Sequence, residues 1–219
     1  MDLYDVMRTT PAVREFTADP LPDETLHRIL DHARFAPSGG NRQGVRIVVV
    51  RDEQTRTRLA ELNKTAVRRY VAQIKAGQSP WNSLEPPIPT PDEIAATDVP
   101  ESFIKPVLTA GAVLVVCVDL GVIASTDQDL DRVGVISGAS VYPMVWNILL
   151  AARNEGFGGT ITTMAATEEP AVRGLLGIPD EYAVAAVVPI GKPVKEITKL
   201  RRNEVEEFVT RERFDGQPF

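Results

Sequence analysis

Three runs of apolar residues constrain the fold of this chain more than any other feature of its sequence. They are VRIVVVR from Val45, GAVLVVCVDL from Gly111 and YAVAAVVPIG from Tyr182. Their β-branched residues predict strands, and the scarcity of polar residues predicts that each strand is buried on both faces. Helical patterns lie between these strands without strict alternation of strand and helix. The sequence therefore predicts an α+β fold.

The helical patterns differ in strength. The pattern over residues 20–36 is the clearest, because Pro22 suits a first turn, acidic residues follow it, and one apolar stripe recurs at helical spacing. Residues 52–77 fit one helix or two. A short strand, GGTITTM, is predicted at residues 158–164. Helices are predicted over residues 2–8, 20–36, 52–77, 126–156, 168–177 and 203–209.

The longest helical pattern covers residues 126–156 and is apolar on nearly every side. Such a helix is either central in the fold or buried in a subunit interface. Pro143 is expected to kink it or divide it in two, and Gly156 suits its C-terminal cap.

Prolines mark the segment of residues 80–106, which holds 7 of the 17 in the chain. It has few periodic apolar positions, so it is predicted to be irregular and exposed, with at most one helical turn near Asp92. Long loops inside a compact domain are usually functional or disordered. Trp81 gives the segment an aromatic surface on which a flat substrate can stack.

Composition limits the class of protein. With 219 residues, 43% of them hydrophobic, the chain suits a single domain over residues 1–219. The net charge of −6 argues against nucleic acid or anionic membrane as a partner. No apolar run approaches the roughly 20 residues of a membrane helix, and the first residues do not resemble a signal peptide. Cys117 is the single cysteine, so we expect no intrachain disulfide and a cytoplasmic location.

Several common motifs of nucleotide binding and of nucleophilic catalysis are absent. No G-x-G-x-x-G follows a strand and opens a helix, and neither a Walker A motif nor G-x-S-x-G occurs. His27 and His32 are five residues apart, which does not put them on one helix face, so no metal site is expected. Cys117 lies within an apolar run and is expected to be a buried hydrophobe. With no nucleophile and base pair evident, a cofactor is expected to carry any chemistry, and we assign no catalytic side chain.

Four segments carry the groups that a flavin nucleotide needs. They are MRTTPAVREF from Met7, FAPSGGNRQG from Phe35, NEGFGGTITTM from Asn154 and ITKLRR from Ile197. Guanidinium groups bind phosphate oxygens in paired hydrogen bonds, and amide and hydroxyl groups suit a polyol chain and a ring edge. Glycines let the backbone approach a flat ligand. Taken singly, each segment has an ordinary explanation as a turn, a cap or a solvated charge, but their ordered occurrence favours FMN.

These segments resemble the nitroreductase family of FMN-dependent oxidoreductases, and the resemblance covers most of the chain in the right order. The A-P-S-x-x-N-x-Q loop and LLGIP followed by a strand and IGKP are its most specific parts. The resemblance implies a mixed sheet flanked by helices and an intertwined homodimer, with two FMN sites that each take residues from both chains. It also implies a lid-like insertion at about 78–106 and a C-terminal extension at about 203–219.

The family's phosphate-binding segment, R-R-S-x-R, is only partly present. Its last arginine corresponds to Arg14, whereas Thr10, Pro11 and Ala12 occupy the places of the other ligands, so Arg8 is a candidate substitute. Gly44 and Val45 stand where the family has Pro-Trp. The resemblance implies FMN contacts from Arg8, Thr9, Thr10, Arg14, Pro37, Ser38, Gly39, Asn41, Gln43, Gly159, Thr160, Ile161, Thr162, Thr163, Lys199 and Arg201, with Trp81 facing the substrate.

The activity implied is transfer of hydride or electrons from NADH or NADPH, through FMN, to a small aromatic acceptor such as a nitroaromatic or a quinone. Two alternatives stay open on the same fold. Some relatives fragment the flavin or dehalogenate an aromatic substrate, and a flavin-binding protein with little turnover fits the incomplete phosphate segment. Neither the choice of nicotinamide donor nor the physiological acceptor can be read from these residues, and a deazaflavin donor is a further possibility.

Overall fold

A four-stranded sheet forms the centre of the protein in a computed structural model that describes all 219 residues. The strands are β1 (Val45–Val50), β2 (Ala112–Asp119), β3 (Gly158–Gly159) and β4 (Tyr182–Gly191). Their order is β1-β2-β4-β3, and all neighbouring strands pair antiparallel. One parallel bridge, between Ala12 and Gly159, adds the N-terminal segment at the β3 edge. The predicted α+β fold is confirmed.

Seven α-helices surround the sheet. They are α1 (Leu3–Thr9), α2 (Asp23–Ala33), α3 (Glu53–Lys75), α4 (Pro91–Ala95), α5 (Glu101–Thr109), α6 (Tyr142–Asn154) and α7 (Glu169–Leu176). Short 3₁₀ turns lie at Gly39–Asn41, Ile136–Ser140, Met164–Glu168 and Val205–Glu207. Residues 52–77 thus contain one continuous helix, α3, and the helix predicted at 203–209 is only a single turn. None of the helices combines the length and the apolar composition that crossing a membrane requires.

The core has two layers, one on each face of β2. Leu114 and Val116 face a cluster that includes side chains of α2 and α6, whereas Val113 and Val115 face a cluster that includes side chains of α3, α5 and α7. Successive residues of a strand point to opposite faces, so the unbroken apolar run of β2 serves both layers. Burial on both faces is thus confirmed for β2 and is wrong for β1, an edge strand whose Val49 is exposed.

Cys117 belongs to the second of these layers and is buried, as expected. Burial raises the pKa of its thiol to about 11, with a smaller contribution from the negative charge of Glu169. Because the thiolate is the reactive form of cysteine, this side chain contributes packing and no chemistry at neutral pH.

The prediction of one long helix over residues 126–156 is wrong in its first half. Only α6 is an α-helix there, and Pro143 lies in its first turn, where proline is tolerated. The carboxylate of Asp127 instead accepts hydrogen bonds from the backbone N–H groups of Val135 and Ile136 and pairs with Arg132. These contacts close residues 127–136 into a loop, which apolar periodicity does not reveal. Gly156, at φ +79°, follows the end of α6 as predicted.

Two further predictions need correction. The helical turn expected near Asp92 is α4, but the end of the proline-rich segment is not irregular, because α5 includes Pro106. Pro106 and Val107 are buried, and this burial outweighs the low helix propensity of proline. Residues 158–164 form a strand only at Gly158–Gly159, followed by an isolated bridge between Thr162 and Val187.

Candidate functional site

The N-terminal segment after α1 lies along the edge of the sheet. The Val13 N–H donates to the Gly159 carbonyl at 2.8 Å, and the Val194 N–H donates to the Glu15 carbonyl at 3.1 Å. A Cβ atom on Gly159 would lie 2.5 Å from the Pro189 carbonyl oxygen, so only glycine fits there. The bond from Val13 to Gly159 places Arg14 beside the residues that follow Gly159.

Arg14 and residues 160–163 line one cavity of about 170 Å³. Arg14 forms no ion pair with a carboxylate. The Thr162 N–H donates to the Val187 carbonyl, but the N–H groups of Ile161 and Thr163 have no acceptor in the chain. The cavity thus combines a free guanidinium group with free backbone donors, a combination that suits the polar edge of a ring.

The opposite wall of this cavity comes from α3 and α5. Tyr70 and Phe103 pack edge to face with ring centroids 5.4 Å apart, and Ser102, Pro106 and Val107 complete the wall. None of these residues was predicted to belong to the site. Phe103, Pro106 and Val107 do recur at helical spacing, which is the signal in the sequence that could have revealed α5.

A second, more open cavity of about 590 Å³ collects positive charge. Arg8, Lys199 and Arg202 line it together with Thr10 and Trp146, and no carboxylate lines it. Arg201, which was predicted here, is not among the lining residues. Arg202 takes that place, and its guanidinium group donates to the Arg201 carbonyl at 2.7 Å. An arrangement of cations without carboxylate partners favours the approach of an anion.

Thr9 and Thr10 end α1 beside this cavity, but their hydroxyl protons are already used. Thr9 Oγ1 donates to the Asp5 carbonyl at 2.6 Å, and Thr10 Oγ1 donates to the Val6 carbonyl at 2.7 Å. Both hydroxyls therefore satisfy the last carbonyls of the helix. A bound anion at this turn has to rely on the neighbouring cations.

The loop from Pro37 to Gln43 is held in a strained form. Ser38 Oγ accepts a hydrogen bond from the Gln43 N–H at 3.0 Å. Asn41 and Gln43 have φ values of +53° and +52°, a region that costs a residue with a side chain roughly 1–2 kcal/mol. Pro37, Ser38 and Gln43 line a third cavity of about 120 Å³, whereas Gly39 and Asn41 do not line it. Strain of this kind concentrates at functional sites.

Gly44 follows this loop where the resemblance implies proline. A Cβ atom there would lie 2.5 Å from Val122 Cγ2, so a larger residue requires Val122 to move. The structure thus gives a local packing reason for the departure from the family pattern.

A single chain brings most of the predicted site residues together in three groups. Five of the predicted FMN contacts line none of the three cavities: Thr9, Gly39, Asn41, Gly159 and Arg201. No residue lines both the loop cavity and either of the other two cavities. Trp81 lines none of the three. Its ring lies against the Arg69 guanidinium group, 3.9 Å from the centroid. The backbone N–H of Trp81 donates to the Oε1 atom of the buried Gln73 side chain at 3.1 Å.

The chain is similar to known proteins over most of its length. A model described as the Nitroreductase family matches residues 7–192. The chain belongs to the nitroreductase family. Among curated proteins, an iodotyrosine deiodinase of Thermotoga neapolitana is 26% identical, over 93% of this chain and 95% of the relative. A protein of Thermus thermophilus named NADH dehydrogenase is 28% identical, over 90% of each chain.

Solved structures agree on the fold. A crystal structure of oxidized iodotyrosine deiodinase, bound to FMN and 3-iodo-L-tyrosine, superposes with a TM-score of 0.68. It is 24% identical and covers 97% of this chain and 99% of its own. At this identity the similarity demonstrates the nitroreductase fold alone.

Proposed function

We propose that the chain binds FMN and transfers reducing equivalents from NADH or NADPH to a small aromatic acceptor of the nitroaromatic or quinone type. One observation carries the proposal: a cavity with a free guanidinium group and free backbone donors accompanies a separate cavity of unpaired cations. This pairing fits a ligand that has a polar flat ring at one end and a phosphate at the other. FMN supplies the redox chemistry when bound, and the protein supplies binding, orientation and charge.

Arg8, Lys199 and Arg202 would hold the phosphate in this proposal. The absence of carboxylates from their cavity supports it, since guanidinium and ammonium groups free of acidic partners favour a phosphate. Arg8 then substitutes for the arginine that the family motif has at Thr10. Arg201 would contribute mainly through its carbonyl, which orients Arg202.

Arg14 would face the ring and not the phosphate, because it shares its cavity with residues 160–163. A fixed positive charge there stabilises negative charge that develops on the ring during reduction. The free N–H groups of Ile161 and Thr163 can donate to acceptor atoms at the ring edge. Residues 160–163 would lie along the ring edge, because they follow directly on β3, where Gly159 comes close to the Pro189 carbonyl oxygen.

A second copy of the chain would complete the site. The Pro37–Gln43 loop has its own cavity in the single chain, so its proposed contacts with FMN come from the partner. Exposed apolar side chains support a homodimer, among them Leu3, Tyr4 and Met7 on α1 and Trp146 on α6. Stable dimers of this kind bury more than roughly 2,000 Å². The single buried cysteine is consistent with a cytoplasmic location.

The decisive experiment is the absorption spectrum of the purified chain, followed by anaerobic reduction with each nicotinamide. We expect yellow protein with about one FMN per chain and bleaching of the flavin band at roughly 450 nm by NADH or NADPH. Light scattering is expected to give a dimer. Colourless protein that takes up no FMN would overturn the proposal, and FMN-loaded protein that neither donor reduces would overturn the choice of donor.

Reductive dehalogenation of a halogenated phenol is a second candidate activity. The similarity to an iodotyrosine deiodinase over nearly the whole length of both chains favours it. Incubation of the reduced protein with 3-iodo-L-tyrosine and measurement of iodide release tests this candidate. Iodide release faster than reduction of nitroaromatics and quinones would assign the chain to dehalogenation.

A further inference from the structure

Arg153 is a buried cation without an anionic partner. It lies in the last turn of α6, only 9% of its surface is exposed, and it forms no ion pair. Its one hydrogen bond runs from Nε to Thr9 Oγ1 at 3.3 Å. By contrast, the more exposed Arg28 pairs with Glu155 at 2.8 Å. Because partial burial of an unpaired charge is unfavourable, a nearby negative charge would stabilise Arg153.

The space around Arg153 excludes direct contact with a phosphate there. Arg153 and Lys195 line a cavity of only about 10 Å³, which is enough for one water molecule at most. Glu196 is the one carboxylate that lines it, and Glu196 is exposed and unbonded to Arg153. Arg153 can therefore act on a ligand only without contact, through its neighbours or through its charge.

Thr10 connects Arg153 with the anion-binding cavity. It lines both the small cavity of Arg153 and the open cavity of Arg8, Lys199 and Arg202. Arg153 and the open cavity thus lie on different sides of the turn that ends α1. Thr9, which accepts the Arg153 hydrogen bond, directly follows Arg8 in the chain.

The turn itself is a poor anion site without added charge. The hydroxyl protons of Thr9 and Thr10 are held by helix carbonyls, and the C-terminal end of α1 carries a partial negative charge. Positive charge behind the turn offsets that partial charge, and it acts strongly because burial limits screening by water.

We propose that Arg153 is a positioning residue of the phosphate site, which rests on the FMN function proposed above. It holds Thr9, and through Thr9 it fixes the orientation of Arg8 and Thr10 toward the cavity. It also supplies from α6 the positive charge that the family motif has at Thr10 and this chain lacks. The phosphate would interact with this charge across the turn and without direct contact.

Riboflavin separates this role from a merely structural one, since it has the ring and the polyol of FMN without the phosphate. Titration of the apoprotein with each flavin, monitored by the quenching of flavin fluorescence, gives both dissociation constants. We expect Arg153→Met to weaken FMN binding at least about tenfold and to leave riboflavin binding within about twofold. Arg153→Lys keeps the charge and is expected to retain part of the preference for FMN. The control is Arg28→Met, an arginine of similar reach whose loss should change neither constant.

The outcomes distinguish this inference from the proposed function. Equal weakening of FMN and riboflavin, or unchanged FMN binding in Arg153→Met, would overturn the role of Arg153 while FMN binding by the natural chain stands. A natural chain that binds neither flavin would overturn both. If Arg153→Met does not fold, Thr9→Val tests the same link, because it removes the acceptor of the Arg153 hydrogen bond at nearly constant volume. It should then reduce the preference for FMN, and an unchanged preference would contradict the inference.

Discussion

The backbone N–H of Gly39 donates a hydrogen bond to the Ser140 hydroxyl at 3.0 Å, across 101 positions of sequence. This bond joins the strained Pro37–Gln43 loop to the 3₁₀ turn that precedes α6. Ser140 also lines the cavity of that loop with Ser38. The loop is thus fixed from outside as well as by its own Ser38–Gln43 bond.

Removal of the Ser140 hydroxyl should loosen the loop. We expect Ser140→Ala to weaken FMN binding by about 0.5–1.5 kcal/mol, the net contribution of one hydrogen bond. Fluorescence titration with FMN measures this change. Ser83→Ala, an exposed serine of the proline-rich segment, is the matched control and should leave the affinity unchanged. Identical affinities for the two variants would show that the loop does not depend on this bond.

An added methyl group should have opposite effects on stability at two glycines, Gly159 and Gly174. Gly159→Ala adds a Cβ atom 2.5 Å from the Pro189 carbonyl oxygen and should destabilise the fold by about 1–3 kcal/mol. Gly174→Ala adds a Cβ atom on α7 with nothing within 4 Å, so it should stabilise the protein by about 0.5–1 kcal/mol. Urea unfolding of both variants measures these changes. A Gly159→Ala variant as stable as the natural chain would contradict the geometry.

The fold follows from the sequence where the local pattern and the tertiary contacts agree. The apolar run of β2 is buried on both faces because β2 lies at the centre of the sheet. The same kind of run in β1 is half exposed, since strand order cannot be read from one strand's composition. Residues 127–136 have helical periodicity, but the carboxylate of Asp127 stabilises a loop instead.

For the site, the residue types were predictable and their grouping was not. Arg14 was assigned to the phosphate by analogy, yet it shares a cavity with residues 160–163. Arg202 and not Arg201 lines the cation cavity, because the local backbone decides which neighbour points inward. Arg153 belongs to no sequence motif. Its proposed role becomes visible only when its burial and its lack of an ionic partner are known.

The carboxylate of Asp127 should make stability depend on pH in the acid range. Hydrogen bonds from the Val135 backbone N–H and from Arg132 hold the pKa of this carboxyl below its usual range. A depressed pKa in the folded state stabilises the protein above the unfolded pKa of about 3.9, and this contribution is lost as pH falls through the folded pKa. Asp127→Asn removes the charge, so it should lower stability at neutral pH and flatten its decline below about pH 4.

Urea unfolding at a series of pH values measures the effect of Asp127. Asp129→Asn is the control, because Asp129 is an exposed acid of the same loop and forms no hydrogen bond or ion pair with its side chain. It should leave the pH dependence as it is in the natural chain. Parallel curves for the natural chain and Asp127→Asn would show that the loop does not draw stability from this carboxylate.

The proline-rich segment is predicted to act as a lid. The structure shows how this segment is held against α3. Trp81 is held at φ +56° by Gln73, and Gln78 binds the Pro86 carbonyl at 2.7 Å, so the segment has a defined conformation on α3. Trp81 contacts Arg69, whose neighbour Tyr70 lines the Arg14 cavity with Phe103. Trp81 is therefore connected to the site only through residues of α3.

We expect Phe103→Ala to change KM or preference among aromatic acceptors more than Trp81→Ala does, because Phe103 lines the cavity itself. Trp81→Ala should raise KM to a smaller extent and leave FMN affinity and the dimer unchanged, since its influence passes through Arg69 and Tyr70. Steady-state kinetics with a nitroaromatic and a quinone measures both variants, and Phe214→Ala, a fully exposed phenylalanine near the C-terminus, is the control. A larger effect of Trp81→Ala than of Phe103→Ala would mean that the indole meets the substrate directly, which requires the segment to move over the cavity during turnover.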